Sequence, residues 1–539
     1  MPKSIRPSGS RARGDKRLVV LLLPEVLGDA VDPAQLRATL ASASTTVRVL
    51  LCLLPDDDRA LVDVLTGLGV ETEILLGADV PMPQTTAFVL RAPPGISPGE
   101  QKDFALALSD VVLVGPASGQ SSFVRTATER GKPLIVPGGP LPRLPPLVSV
   151  THRLDPEAPG WHARGRSCFG RFEQAIMEMF AYNWLGRHQG GVAESRKRLR
   201  NCFGREWQPS AYFAPDGCLK EAPDPAAIDP SSRIAAQFDA MDRSALYGSY
   251  VHRDLIWTAH LAAAFAVFAA VAGHLSVDVK ALASTWGVLE LLSLLLVMSL
   301  VLGARRSSLQ DRWTACRFGA EQLRIARMSL PLLVLPPALA TEDAMPVGND
   351  RGSKEIELGL LALAEVKRAV RDQGLPRLEA ALTPVRAAAW LHCIVADQAK
   401  YHHRNHHKLE QAESRLRFTT QAIFVLTMIA VVAHFCSHAE GLLFVTAAGP
   451  ALAAALHGAG IRLGIVHRAA LSLGVERDLR QIAEALDNLI KHPPSPEDAP
   501  AVKEAWREVR RLASKAAETM GQENASWHGL VRRYQDELP

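Results

Sequence analysis

Residues 255–277 (LIWTAHLAAAFAVFAAVAGHLSV) and 281–303 (ALASTWGVLELLSLLLVMSLVLG) contain a single formally charged side chain between them, Glu290. About 20 apolar residues in a helix cross a hydrocarbon core of roughly 30 Å, so each segment is long enough to span a bilayer. Only the short stretch around Asp278 and Lys280 separates them, which predicts a transmembrane hairpin. The arrangement returns in residues 418–436 and 441–461, joined by SHAE, with a kink expected at Gly449-Pro450. Buried helices of a soluble bundle are the alternative, and they suit the second pair better because it is shorter.

Positive charge near the span ends sets an expected orientation. Arg253 precedes the first hairpin and Arg305 and Arg306 follow it; Arg415 and Arg417 precede the second, with Arg462 and Arg468 after it. The turns hold Lys280 and no arginine, so the turns are expected outside and both termini in the cytoplasm. Within the spans, Ala262, Ala266 and Ala270 recur every four residues, a ridge that permits close helix contact. Glu290 falls near mid-span, where a charge costs about 2.5–3.5 kcal/mol unless it is protonated, paired or hydrated. It reads either as a pore-lining or interhelical group, or as a protonated acid bonded to a neighbour such as Ser293.

A chain of 539 residues exceeds one core, so several domains are expected. The net charge of +4 is small and no basic block is long, which argues against a nucleic-acid partner. The seven cysteines are scattered without a C-x-x-C pair and read as reduced thiols rather than a disulfide frame or zinc ribbon. The basic start, MPKSIRPSGSRARGDKR, reads as a disordered tail over 1–17 and not as a signal peptide.

Residues 18–140 alternate strand-like runs (RLVVLLLP, VRVLLCLLP, VETEILLG, SDVVLVGP, KPLIVPG) with helical patterns. Continuous apolar strands flanked by helices predict a doubly wound α/β domain with a parallel sheet covered on both faces, which binds ligands at the carboxyl ends of its strands. In SDVVLVGPASGQSSFVRTATERGKPLIV, a strand ends at Gly115 and a small polar loop follows, with Ser118, Gly119, Gln120, Ser121 and Ser122 opening a helix. Free amides there suit a phosphate or ribose; alternatively the serines only cap the helix.

The strand, Gly/Ser loop, helix and GKPLIV strand resemble the SLOG and TIR-like nucleotide-sensing or nucleotide-processing domains and the nucleoside deoxyribosyltransferases. Enzymatic members of that superfamily carry a glutamate early in the helix after the loop. This chain has Phe123, Val124 and Arg125 there, and Glu129 only at the far end. The resemblance thus implies a sensor of a nucleotide-derived ligand, with no cofactor. The membrane part resembles the SLATT-type two-span effector modules of bacterial conflict systems. RWTACRFGAEQLR after the first hairpin and HRAALSLGVERDLR after the second share a Gly-x-Glu core followed by Leu-Arg, a weak internal repeat. This implies an oligomeric, multi-pass protein of the bacterial inner membrane that forms a pore or disrupts the bilayer on a nucleotide signal, in antiphage defence. The alternative is a membrane-anchored enzyme that cleaves a nucleotide or NAD, using Glu129 or Asp110.

The remaining divisions follow composition: a linker subdomain over 141–230, a helix leading into hairpin 1 over 231–330, a cytoplasmic helical connector over 331–417, hairpin 2 with a following helix over 418–492, and an amphipathic helix over 493–539. That last helix places Val502, Trp506, Val509 and Ala513 on one face, for packing on the bundle first and a membrane surface second. The cluster AKYHHRNHHKLE sets His402/His406 and His403/His407 four residues apart on shared faces. It lacks the glutamate of H-E-x-x-H, so a polar helix face is expected, ahead of a pH-dependent contact, and no metal.

Overall fold

A computed structural model of the chain describes residues 17–142, 176, 233–336, 354–373 and 383–533, apart from short stretches at 28–31, 44–45, 54–59, 78–79, 81–87, 116–120, 308 and 438. The expected tail (1–16) and nearly all of the linker subdomain lie outside the described residues. Arg17, assigned to the tail, begins the first strand.

The N-terminal part is a parallel α/β fold. Its elements are β1 (Arg17–Leu22), α1 (Pro24–Leu27), α2 (Pro33–Ala41), β2 (Thr46–Leu53), α3 (Ala60–Gly67), β3 (Glu71–Leu76), β4 (Phe88–Arg91), α4 (Pro98–Leu108), β5 (Val111–Leu113), α5 (Ser122–Glu129) and β6 (Leu134–Ile135). The six strands run in the order β4-β3-β2-β1-β5-β6, with every pairing parallel. Strand β4 has no counterpart among the apolar runs read from the sequence: it is a four-residue edge strand, too short for a period to register.

Alternation assigns the two faces of the sheet. Leu18, Val20 and Leu22 of β1 pack with Leu36 and Leu40 of α2 and Leu65 of α3. Val19 and Leu21 face the other way, toward Phe104 of α4 and Phe123 of α5. Local chemistry fixes the helix starts. The Asp32 side chain accepts from the Ala34 amide, and Ser97 and Glu100 form a reciprocal capping box ahead of α4. Buried Arg48 on β2 pairs with Glu71 at 3.1 Å and Glu73 at 3.6 Å on β3.

The rest is helical: α6 (Arg233–Leu275), α7 (Lys280–Ser307), α8 (Leu309–Ser329), a 3-10 turn at Leu330–Leu332, α9 (Lys354–Gln373), α10 (Pro384–Ser437), α11 (Gly441–Arg462), α12 (Ile465–Lys491) and α13 (Ala499–Arg533). Four of these, α6, α7, α10 and the helix beginning at Gly441, hold stretches long and apolar enough to cross a membrane. Within α7, Leu291, Leu292, Leu295 and Met298 are all more than half exposed, as are Phe424, Leu426, Ile429 and Val432 on α10. Apolar surface of that extent suits lipid rather than water.

Helix α6 packs against both α7 and α11, and α11 packs against α10, so the two hairpins meet through α6 and α11. Phe268 of α6 stacks edge-on against Trp286 of α7 and Phe444 of α11, with ring centroids 5.8 and 4.4 Å apart. A Cβ on Gly449 would collide with Thr427 Oγ1, so the α10/α11 crossing depends on glycine there. Pro450 lies inside α11.

Two of the long helices run without a break from the helical base into the candidate spans: α6 over 43 residues and α10 over 54. At the base, α8, α10, α12 and α13 share a core containing Trp390, Leu391, Leu479, Trp506 and Val509. The apolar face of α13 is therefore spent on the bundle. The sheet is not separate from this base, because Val19, Leu21 and Phe104 belong to the same apolar core as Phe238 of α6, Trp313 of α8 and Val366 of α9, and α9 packs directly on β1.

Candidate functional site

Strand order defines the first candidate. After β1 the chain builds outward through β2, β3 and β4, whereas β5 and β6 lie on the other side of β1. The order reverses between β1 and β5, and the crevice outside their carboxyl ends is where open parallel sheets take ligands. Gly115 is buried at that end of β5, next to Val114, whose amide donates to the Ile135 carbonyl at 2.9 Å. Ser121 is the N-cap of α5 and accepts from the Phe123 amide at 3.3 Å, so its side chain is engaged in capping. Ser122 is exposed on the first turn. Ser118, Gly119 and Gln120 lie outside the described residues.

Neither carboxylate named for catalysis stands at this loop. Asp110 precedes β5, five residues and about 16 Å of strand before Gly115, and its Oδ2 accepts from the Val19 amide at 3.0 Å and from Arg368 Nη1 at 3.1 Å. Its role is to tie the sheet to α9. Glu129 is the exposed last residue of α5, about 10 Å along the axis from Ser122.

In the hairpins, Ala266 is buried while Ala262 and Ala270 are half-buried; Ala269, which the every-fourth-residue reading passed over, is fully buried. The face toward the neighbours includes Gly273, where a Cβ would lie 3.3 Å from Trp286 Cβ. Glu290 is half-buried on α7 and makes no hydrogen bond or ion pair among the described residues. The Ser293 hydroxyl donates to the Leu289 carbonyl at 2.8 Å, so it is not the partner of Glu290.

The histidines of α10 divide among several neighbours. His402 points inward, with Nε2 3.6 Å from Glu523 Oε2 of α13. His403 Nδ1 is 2.9 Å from Glu476 Oε1 of α12, and His406 Nδ1 is 3.0 Å from the Ala469 carbonyl oxygen of α12. Asn405 Nδ2 donates to Ser472 Oγ at 2.8 Å. His406 Nε2 and His407 Nδ1 lie 3.5 and 3.8 Å from the same oxygen, Glu410 Oε2. Glu410 is the acidic partner that sequence reading overlooked; its spacing of four from His406 carried the signal.

Around His402 lies a charge network also missed from sequence. Glu321 pairs with Arg317 at 2.5 Å and with Arg324 at 2.6 Å, and Arg317 is 3.9 Å from Asp242 of α6. Burial opposes ionisation of Glu321, but the two guanidiniums outweigh it and hold its carboxyl below the usual range. Burial, reinforced by the charge of Glu321, pushes Glu523 up to about 7. Burial also lowers His402 to about 4, against the attraction of Glu321 and with the repulsion of Arg317 and Arg324. Of the two Gly-x-Glu repeats, the second places Glu476 against His403, and the first places Glu321 among the arginines whose charges act on His402.

No family model, no curated protein and no solved structure matches the chain. What the arrangement supplies is a reversal of strand order at β1/β5, a sheet docked on the helical base, and helices continuous from that base into the candidate spans.

Proposed function

We propose that this chain is a membrane effector in which the N-terminal sheet binds a nucleotide-derived ligand at the β1/β5 crevice and thereby controls a pore or leak formed by the two hairpins. The observation that carries the reading is the common core: β1, α6, α8 and α9 share buried side chains, and α6 continues unbroken into the first span. A change in how the sheet sits on α9 has a rigid route to the bilayer. The ligand gates by binding the conducting arrangement more tightly than the resting one, since equal affinity shifts nothing. Copies of the chain line the pore, with Glu290 as its polar group. The protein works in the bacterial inner membrane with both termini cytoplasmic, as a defence effector like the SLOG and SLATT proteins it resembles.

Ligand binding is tested by thermal unfolding of the full-length protein in detergent with a panel of cyclic and linear nucleotides, with nucleotide integrity assayed in the same samples. A ligand at about 100 times its Kd stabilises by about 2.7 kcal/mol. Ser122→Glu puts an anion at the exposed first turn of α5, which suits the helix but repels a phosphate. The variant is expected to unfold as wild type does without ligand and to lose the nucleotide-induced shift. Consumption of the nucleotide would instead make the domain an enzyme.

A further inference from the structure

We infer that His406, His407 and Glu410 of α10 form a binding site for a divalent metal ion of borderline softness, of which Zn2+ is the type. Their donor atoms all lie within 4.8 Å of one another, and both imidazoles approach a single carboxylate oxygen, Glu410 Oε2. Two histidines and one carboxylate, with a fourth position left to water, are a ligand set that tetrahedral zinc accepts.

The second observation is the orientation of His406. A carbonyl oxygen only accepts, so the 3.0 Å contact from Nδ1 to Ala469 requires the proton on Nδ1, and in the neutral ring that a metal needs this puts the Nε2 lone pair on the side of Glu410. Anchoring of the distal ring nitrogen by a backbone carbonyl is the support that metal-bound histidines normally have. His407 is steadied as well: its ring packs edge-on against His403 at 4.5 Å, and His403 is held by Glu476. No backbone motion is needed to bring the donors to Glu410, because it follows His406 by four residues and His407 by three on a continuous helix, the two spacings that share a face. The ion would sit about 12–18 Å before Phe418, where the candidate span begins, and would brace the side of α10 on which His406 meets α12.

The test is equilibrium dialysis of the untagged full-length protein in detergent against buffered Zn2+, with Co2+ absorption as a readout of four-coordinate geometry. The expected result is one equivalent of Zn2+ per chain, with affinity reduced at least about tenfold by His406→Gln or Glu410→Gln, the loss of visible Co2+ bands in both, and no change in His434→Gln, at the other end of α10. Unchanged circular dichroism in the variants separates loss of the site from loss of fold. No saturable equivalent in the wild type, or equal binding by wild type and both variants, would overturn the inference.

Discussion

Arg368 Nη1 of α9 lies 3.1 Å from Asp110 Oδ2, the same oxygen that accepts the Val19 amide of β1. One carboxylate thereby links two central strands to a helix of the helical base. Its side chain is 6% exposed and that of Arg368 17%, so removing the guanidinium strips a counter-charge from a buried acid. Arg368→Met is expected to cost about 3 kcal/mol and to expose the junction between sheet and bundle to protease. Unchanged stability and unchanged cleavage would show that the two parts dock without this pair.

The network around His402 makes stability depend on pH from two sides. Glu523 has a folded value of about 7 against 4.5 for the free group, so its contribution is complete below about 4.5 and is lost as pH rises through 7. His402, at about 4 against 6.5, contributes fully above 6.5 and loses this as pH falls through 4. Above pH 6.5 only the Glu523 slope remains. Glu523→Gln keeps the neutral form and is expected to flatten the decline in Tm between pH 6.5 and 8; a profile parallel to wild type would refute the assignment.

Gly449 faces Thr427 where α10 crosses α11. Gly449→Leu is expected to destabilise by at least about 2 kcal/mol through overpacking and to lower the Tm in detergent. Gly474 meets nothing within 4 Å, so Gly474→Ala on α12 should raise the Tm slightly, by removing helix-interior glycine. Equal behaviour of the two would mean that the hairpin crossing is looser than described.

Much of the architecture was legible in the sequence because its periods are strong. The apolar spans, the β1, β2 and β3 runs and the apolar face of α13 each repeat one physical pattern over many residues. What escaped depends on long-range pairing. Strand β4 is too short to show a period, and Asp110 looked like a possible catalyst until its partners, Val19 and Arg368, were in place. Glu321 and Glu476 were visible as a repeat, yet the contact of Glu476 with His403 arises only when α12 packs on α10. At the candidate ligand site, strand order was the missing fact: the run ending at Gly115 was recognisable, but the place of Gly115 at the reversal between β1 and β5 was not.

Glu290 tests the membrane part. It is half-buried on a helix whose neighbouring leucines are exposed, and no group among the described residues pairs with it. Glu290→Gln is expected to leave the Tm in detergent unchanged while lowering ion flux through reconstituted protein, because in the proposed pore the side chain serves the assembly and not the fold. Unaltered flux would remove Glu290 from the pathway.

The most direct measurement is leakage of a trapped dye from liposomes carrying the full-length protein, with and without the nucleotide that raises its Tm, alongside the fate of that nucleotide. The account predicts leakage that requires the nucleotide and leaves it intact. Sealed liposomes in which the nucleotide is bound or consumed would contradict it, and the hairpins would then serve as an anchor.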